Sequence, residues 1–196
     1  DKKLPERKTP LTPPGSLSAA NLQQHCTACQ LCIANCPNGV LRPSTSMAHF
    51  LQPEMQYDNG YCRPECTRCA DVCPAGAIKP ITKEEKTAIQ IGHAVWVKEN
   101  CLPATQDQKC GSCDAHCPAE AIQMVPIDKS IKQNPDDGQW YDADGNQLDW
   151  RAVNDLLRIP VVDVEKCIGC GKCEYLCPAR PFSAIYVEGH ETHREI

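Results

Sequence analysis

Cys167-Ile168-Gly169-Cys170-Gly171-Lys172-Cys173-Glu174-Tyr175-Leu176-Cys177-Pro178 decides how the rest of the chain is read. Its spacing is C-x2-C-x2-C-x3-C-P, the run that ligates a [4Fe–4S] cluster. Thiolates at i, i+3 and i+6 wrap one loop around a single cubane. The fourth Cys is expected to start a short helix and to point elsewhere, toward a second cluster. A Pro after it suits the first turn of such a helix, where its missing N–H costs nothing. Gly169 and Gly171 let the backbone pass close to inorganic sulfide and donate N–H bonds to it.

The same signature recurs along the chain, and none of the 16 Cys is left over. The quartets are Cys26/Cys29/Cys32/Cys36, Cys62/Cys66/Cys69/Cys73, Cys101/Cys110/Cys113/Cys117 and Cys167/Cys170/Cys173/Cys177. Each closes with C-x3-C-P, at Pro37, Pro74, Pro118 and Pro178. A disulfide framework does not repeat that spacing four times. Structural zinc sites pair two C-x2–4-C knuckles and need neither a third Cys at i+6 nor the trailing Pro. The sixteen Cys are therefore the candidate iron ligands of four [4Fe–4S] clusters.

Composition agrees. The hydrophobic fraction of 41% counts the cysteines, and the aromatic residues are only three Trp, five Tyr and two Phe, against 17 Pro. A chain of 196 residues built this way cannot rest on a large apolar core, and metal ligation must supply folding energy. The formal charge is −5, and each loaded cluster with its thiolates adds negative charge, which speaks against nucleic acid as a partner. No run of 18 apolar residues exists, so no transmembrane span is expected. No signal peptide precedes the quartets, and a start at Asp1 rather than Met suggests a segment processed or omitted upstream.

Residues 1–15, Pro-rich and charged, are expected to form an extended N-terminal arm, read as a solvated tether crossing the surface. Ser16 or Ser18 can cap a helix over Leu17–Gln24 that delivers Cys26. Val40-Leu41 is at most a short strand, and 42–60 is a linker with turn signals. The second quartet carries one extra residue in its first gap, Cys62-Arg-Pro-Glu-Cys66. Ala75–Ile78 reads as a turn and short strand. Thr82-Lys-Glu-Glu85 is a capping box for a helix to about Ile91, followed by a strand His93–Lys98. The long gap from Cys101 to Cys110 should bulge outward. Residues 127–148 read as an inserted hairpin with Asp144-Gly145 at its turn, a better fit than a calcium loop, whose Gly and Glu fall out of place here. Asp149 can cap a helix to Leu157, Ile159–Val164 forms a strand, Ser183–Val187 closes the domain, and 188–196 is a polar tail. His25 and His116 neighbour ligand cysteines but their quartets are already complete, so both read as surface residues; His190 and His193 read as part of the solvated tail.

No nucleotide loop, catalytic triad or flavin fingerprint is present. Closed quartets leave no open iron position, so the chain reads as an electron carrier and not an enzyme. The alternative is an electron-input subunit of a cytosolic oxidoreductase, or an enzyme with a site-differentiated cluster.

Pro13-Pro14-Gly15, the stretch His93-Ala-Val-Trp-Val-Lys-Glu-Asn-Cys101, the long third gap and Cys167-Ile-Gly-Cys-Gly-Lys-Cys resemble the NapG/MauM group of four-cluster ferredoxins, over residues 13–187. The resemblance implies an α+β fold: tandem bacterial dicluster-ferredoxin-like modules with short strands and helices, long loops and cluster stabilisation, over 16–187. It implies transfer of single electrons between a membrane quinol-oxidising partner and a reductase. It implies export by the twin-arginine route to the periplasmic side of the bacterial inner membrane, peripherally bound, with the cytoplasm as the alternative. Resemblance to the four-cluster subunits of molybdenum oxidoreductases implies nested pairing, motif 1 with 4 and motif 2 with 3. Cys36 would then serve the cluster of Cys167/Cys170/Cys173, Cys177 that of Cys26/Cys29/Cys32, and Cys73 and Cys117 would exchange likewise. The rival is sequential pairing, first with second and third with fourth.

Overall fold

The computed structural model describes residues 2–196. In chain order the elements are α1 (Ala19–His25), α2 (Leu31–Ala34), β1 (Leu41–Pro43), β2 (Pro53–Met55), α3 (Arg68–Asp71), α4 (Lys83–Ala88), β3 (Ile89–Trp96), α5 (Leu102–Thr105), α6 (Ser112–Ala115), β4 (Ile122–Pro126), β5 (Lys132–Gln133), β6 (Trp140–Tyr141), β7 (Gln147–Leu148), α7 (Trp150–Asp155), β8 (Arg158–Val162), α8 (Lys172–Tyr175) and β9 (Ile185–Glu195). The strands form four separate antiparallel sheets, β1-β2, β3-β9, β4-β8 and β5-β6-β7.

In each motif a short helix lies just before the fourth Cys, and the long gap of the third motif carries a further one, α5. Helices α2, α3, α6 and α8 have four residues each and carry Cys32, Cys69, Cys113 and Cys173; Cys36, Cys73, Cys117 and Cys177 follow their ends. The expectation that the fourth Cys starts a helix is thus reversed. The cause is the Pro that follows it: the residue before a Pro is pushed out of the α region, so C-P stops the helix.

The four motifs gather into two halves by the same device. Between motifs 1 and 2 the chain folds back through the β1–β2 ribbon, Leu41 opposite Met55, and α2 packs on α3. Between motifs 3 and 4 it folds back through β4–β8, Ile122 opposite Val162, and α6 packs on α8. Each ribbon returns a motif to its sequence neighbour, so loop closure stays local.

A third ribbon ties the halves together. Strand β3 leads out of the first half and pairs with β9, from Ile89 opposite Glu195 to Trp96 opposite Ile185, with a bulge between Gln90 and Gly92. The stretch 188–196 is therefore not a free polar tail. Buried Ile185, Val187 and Gly189 alternate with the less buried Tyr186, Glu188 and His190, the period of a strand with one face packed inward.

The N-terminal arm is extended but docked. Lys3 N–H donates to Asn100 Oδ1 at 2.8 Å, Lys8 and Thr9 N–H donate to Glu188 Oε1 at 2.9 and 2.8 Å, and Arg7 pairs with Glu174. Leu11 is fully buried, and the Leu11 and Gly15 carbonyls accept from Met55 and Lys79 N–H at 2.8 and 2.9 Å. Its prolines already restrict the unfolded chain, which lowers the cost of ordering it across both halves.

Local readings mostly hold. Ser18 caps α1 and the Thr82–Glu85 capping box opens α4. Asp149 caps α7. The 127–148 insertion is a three-stranded meander with Gly145 at φ +84, wider than the expected hairpin. Residues 75–78 form a turn without a strand. Two small cores result: Leu11, Leu22, Met55, Tyr57 and Ile78 with Cys32 in one, and Ala94, Ile122 and Ile185 with Cys101, Cys167, Cys173 and Cys177 in the other. Thiols thus stand where a larger domain would place aliphatic side chains.

Candidate metal centres

Three cavities are each lined by four cysteines, and in each one the fourth comes from the adjacent motif. Cys26, Cys29 and Cys32 meet Cys73. Cys62, Cys66 and Cys69 meet Cys36. Cys101, Cys110 and Cys113 meet Cys177. Cys117, the remaining fourth cysteine, lies near Cys167, Cys170 and Cys173 and adds to the rise that burial imposes on each of their thiols. The expected nested arrangement is corrected by this geometry. Cys36 lies with Cys62 and not with Cys167, and Cys177 lies with Cys101 and not with Cys26. The β1–β2 and β4–β8 ribbons decide the matter, because each brings consecutive motifs face to face.

All sixteen thiols are free of disulfides. Among the described residues no group of three or more His, Cys, Asp or Glu is arranged to hold a single metal ion. The thiols ring cavities instead, as a polynuclear cluster requires. Backbone N–H groups are aimed at sulfur: Ala28 to Cys26 at 3.4 Å, and Ala94 to Cys167, Ala121 to Cys117 and Ala184 to Cys177 at 3.3 Å each. Such donors stabilise charge on a ligating sulfur. The donor set fits [4Fe–4S] ligation.

Burial dominates the acidity of these thiols. It pushes Cys32 up to about 11 and Cys69, Cys113 and Cys170 up to about 12, with neighbouring cysteines adding to the shift. Burial also raises Cys62, where the Lys86 ammonium opposes it, and Cys101, where the Trp96 indole opposes it. The buried Trp96 Nε1–H has no hydrogen-bond partner among the described residues.

The two halves meet at the centres themselves. Cys62 N–H donates to the Cys170 carbonyl at 2.9 Å, and Tyr57, fully buried, donates its hydroxyl to the Gly169 carbonyl at 2.6 Å. Gly171, at φ +75, has no room for a side chain: a Cβ there would sit 2.2 Å from the Tyr57 ring. Gln90 Nε2 donates to the Cys167 carbonyl at 2.7 Å and fastens β3 to the same loop. The quartets therefore adjoin in series, Cys26 set to Cys62 set by shared motifs, Cys62 set to Cys167 set across the seam, and Cys167 set to Cys101 set by shared motifs.

His25 and His116 are exposed and bond the Asn21 and Ser112 carbonyls at 2.9 and 2.8 Å, away from the sulfurs. His190 and His193 are not solvated: His190 bonds His93 and His193 bonds Thr12, each at 2.9 Å. Lys86, Tyr57 and Trp96 escaped the sequence reading. No spacing marks Lys86 and Tyr57, since each reaches its sulfur or loop from a distant segment, whereas Trp96 lies only a few residues before Cys101.

Comparison with known proteins agrees with the sequential halves. The 4Fe-4S dicluster domain model matches residues 25–77, which hold the first two motifs, and again 108–180, from the C-terminal part of the third motif, after Cys101, through the fourth. The methylamine utilization ferredoxin-type protein MauM of Methylobacillus flagellatus is 32% identical over 178 residues, covering 86% of this chain and 64% of that protein. The ferredoxin-type protein NapG of Escherichia coli is 30% identical, covering 85% of this chain and 65% of its own length. The ferredoxin-type protein NapF of Escherichia coli is 26% identical, covering 92% and 87%. The chain spans just under two thirds of the length of the MauM relatives it matches.

Proposed function

Because this chain belongs to the 4Fe-4S dicluster domain family, with ferredoxin-type proteins as its relatives, we propose that it is a non-catalytic electron carrier holding four [4Fe–4S] clusters between two redox proteins. The observation that supports this best is the gathering of all sixteen Cys into four sets of four, each completed by a cysteine of the adjacent motif. Bound clusters supply one-electron redox chemistry at potentials set by their surroundings.

The chain's own residues do the rest. Cys26, Cys29, Cys32 and Cys73 hold the first cluster, and Cys62, Cys66, Cys69 and Cys36 the second. Cys101, Cys110, Cys113 and Cys177 hold the third, and Cys167, Cys170, Cys173 and Cys117 the fourth. Exchange of the fourth cysteine locks each pair at one separation. The Cys62–Cys170 hydrogen bond and Tyr57 lock the two pairs together, so the fold supports a series of first, second, fourth and third quartets. Cys29, exposed in the first set, opens that end of the series to a partner. The resemblance to the NapG/MauM group extends the proposal to partners, a membrane quinol-oxidising protein and a reductase, and to the periplasmic face of the inner membrane. Among the described residues no helix is long and apolar enough to cross a membrane.

Four clusters require roughly 16 Fe and 16 acid-labile sulfide per chain. Anaerobically purified protein should contain them, titrate reversibly by EPR and show no turnover alone. Iron well below that level, or catalysis by the isolated chain, would count against the carrier. Fractionation of the native host tests the location.

A further inference from the structure

Lys86 is 5% exposed, on a helix whose other charged residues, Lys83, Glu84 and Glu85, face solvent. The capping box sets the helix's first turn: Thr82 N–H donates to Glu85 Oε2 at 2.7 Å and Glu85 N–H to Thr82 Oγ1 at 3.1 Å. The last residue of that box, Glu85, is followed directly by Lys86, which turns inward under the second motif. Its Nζ donates to the Arg63 carbonyl at 2.6 Å, to the Cys66 carbonyl and to Cys62 Sγ at 3.2 Å.

An ammonium has three donors, and these three acceptors use them all. None is a carboxylate. The ion pairs among the described residues are Arg7–Glu174, Lys109–Asp155 and Lys166–Asp163. A buried ammonium is costly without negative charge beside it, and the sulfur of Cys62 is the acceptor in its shell that becomes anionic on ligating iron. Arg63 lies inside the widened Cys62–Cys66 gap and Cys66 ends it, so the loop of that gap curls over the ammonium. The other sulfur-directed hydrogen bonds come from backbone amides, those of Ala28, Ala94, Ala121 and Ala184.

We propose that Lys86 is a tuning residue that raises the reduction potential of the cluster held by Cys36, Cys62, Cys66 and Cys69. This rests on the cluster reading given above. A fixed positive charge against a ligating sulfur favours the state with one more electron, and hydrogen bonds to sulfur act in the same direction. The second quartet, at the seam between the halves, then holds an electron more readily than it would without Lys86.

The test is an EPR-monitored redox titration of the loaded wild-type chain, Lys86→Gln and Lys86→Arg, with iron counted in each. Lys86→Gln should lower one midpoint by at least a tenfold change in its reduction equilibrium constant, about 59 mV for one electron, and leave the others in place. Lys86→Arg, which keeps the charge, should stay near the wild-type value. A fully loaded Lys86→Gln protein with all midpoints unmoved overturns the proposal, as does an Arg variant that falls as far as the Gln variant. If Gln prevents loading of one cluster, a loaded, unshifted Arg variant supports the charge requirement; failure of both variants to load makes Lys86 structural and overturns the tuning role. Wild-type protein lacking the iron of four clusters sinks the carrier reading itself, a separate outcome.

Discussion

His193 bonds Thr12 Oγ1 at 2.9 Å, and burial lowers its pKa from 6.5 to about 4. His190 is lowered too, by burial and by the nearby His93 and Arg194, against Glu165 and Glu188. A base whose folded pKa is depressed leaves stability complete above the unfolded value and loses it as pH falls toward the folded one. Denaturation of the loaded chain should therefore show stability declining from about pH 6.5 toward pH 4, with His193 contributing roughly 3 kcal/mol by the lower end. His193→Gln should flatten that slope relative to wild type; an unchanged slope would refute the assignment. Cysteine exchange is likewise decided residue by residue. Cys73→Ala should expose Cys26, Cys29 and Cys32 to alkylation while Cys36, Cys62, Cys66 and Cys69 remain protected, as read by peptide mass spectrometry. Protection lost first at the Cys62 set would mean that Cys73 serves its own motif.

The loop of the fourth motif depends on two left-handed residues, Gly169 at φ +74 and Gly171 at φ +75. The first motif takes the same turns with Ala28 at φ +53 and Gln30 at φ +63, at about 1 kcal/mol of strain each. Glycine is thus not required by the turn alone. It is required at Gly171 because Tyr57 occupies the space a side chain would need. Gly171→Ala should cost about 3 kcal/mol or more, from the left-handed backbone and the clash with a buried ring together. A drop in thermal midpoint far larger than that of Gly39→Ala, where the same positive φ meets open space, is the expected result. Equal drops would mean that backbone conformation alone sets the cost.

At the scale of the whole chain, three ribbons carry the architecture and the inserted meander does not. Residues 132–133 are exposed, β6 and β7 pair only with each other and β5, and the turn at Asp142–Asn146 is closed by its own Asp142 carboxylate. Replacing 129–148 by a short Gly/Ser link should leave iron content and thermal midpoint near wild type; loss of iron from the third or fourth quartet would show that the meander braces them. The candidate quartets were readable in one dimension because their spacing is local: three of every four thiols lie close together in sequence, and Pro marks the fourth. Caps at Ser18, Thr82 and Asp149 were readable for the same reason. Pairing of the motifs was not, because it depends on ribbons whose strands lie up to 40 residues apart, as Ile122 and Val162 do. Nor was the strand at Ile185–Glu195, whose polar outer face imitates a tail until β3 pairs with it. Sequence spacing by itself determined which sixteen thiols form the candidate quartets, since that signature is short-range; only tertiary structure decided which thiols gather around one cavity, which cation sits beside Cys62 and how the two halves join, since those contacts are made between segments that meet only on folding.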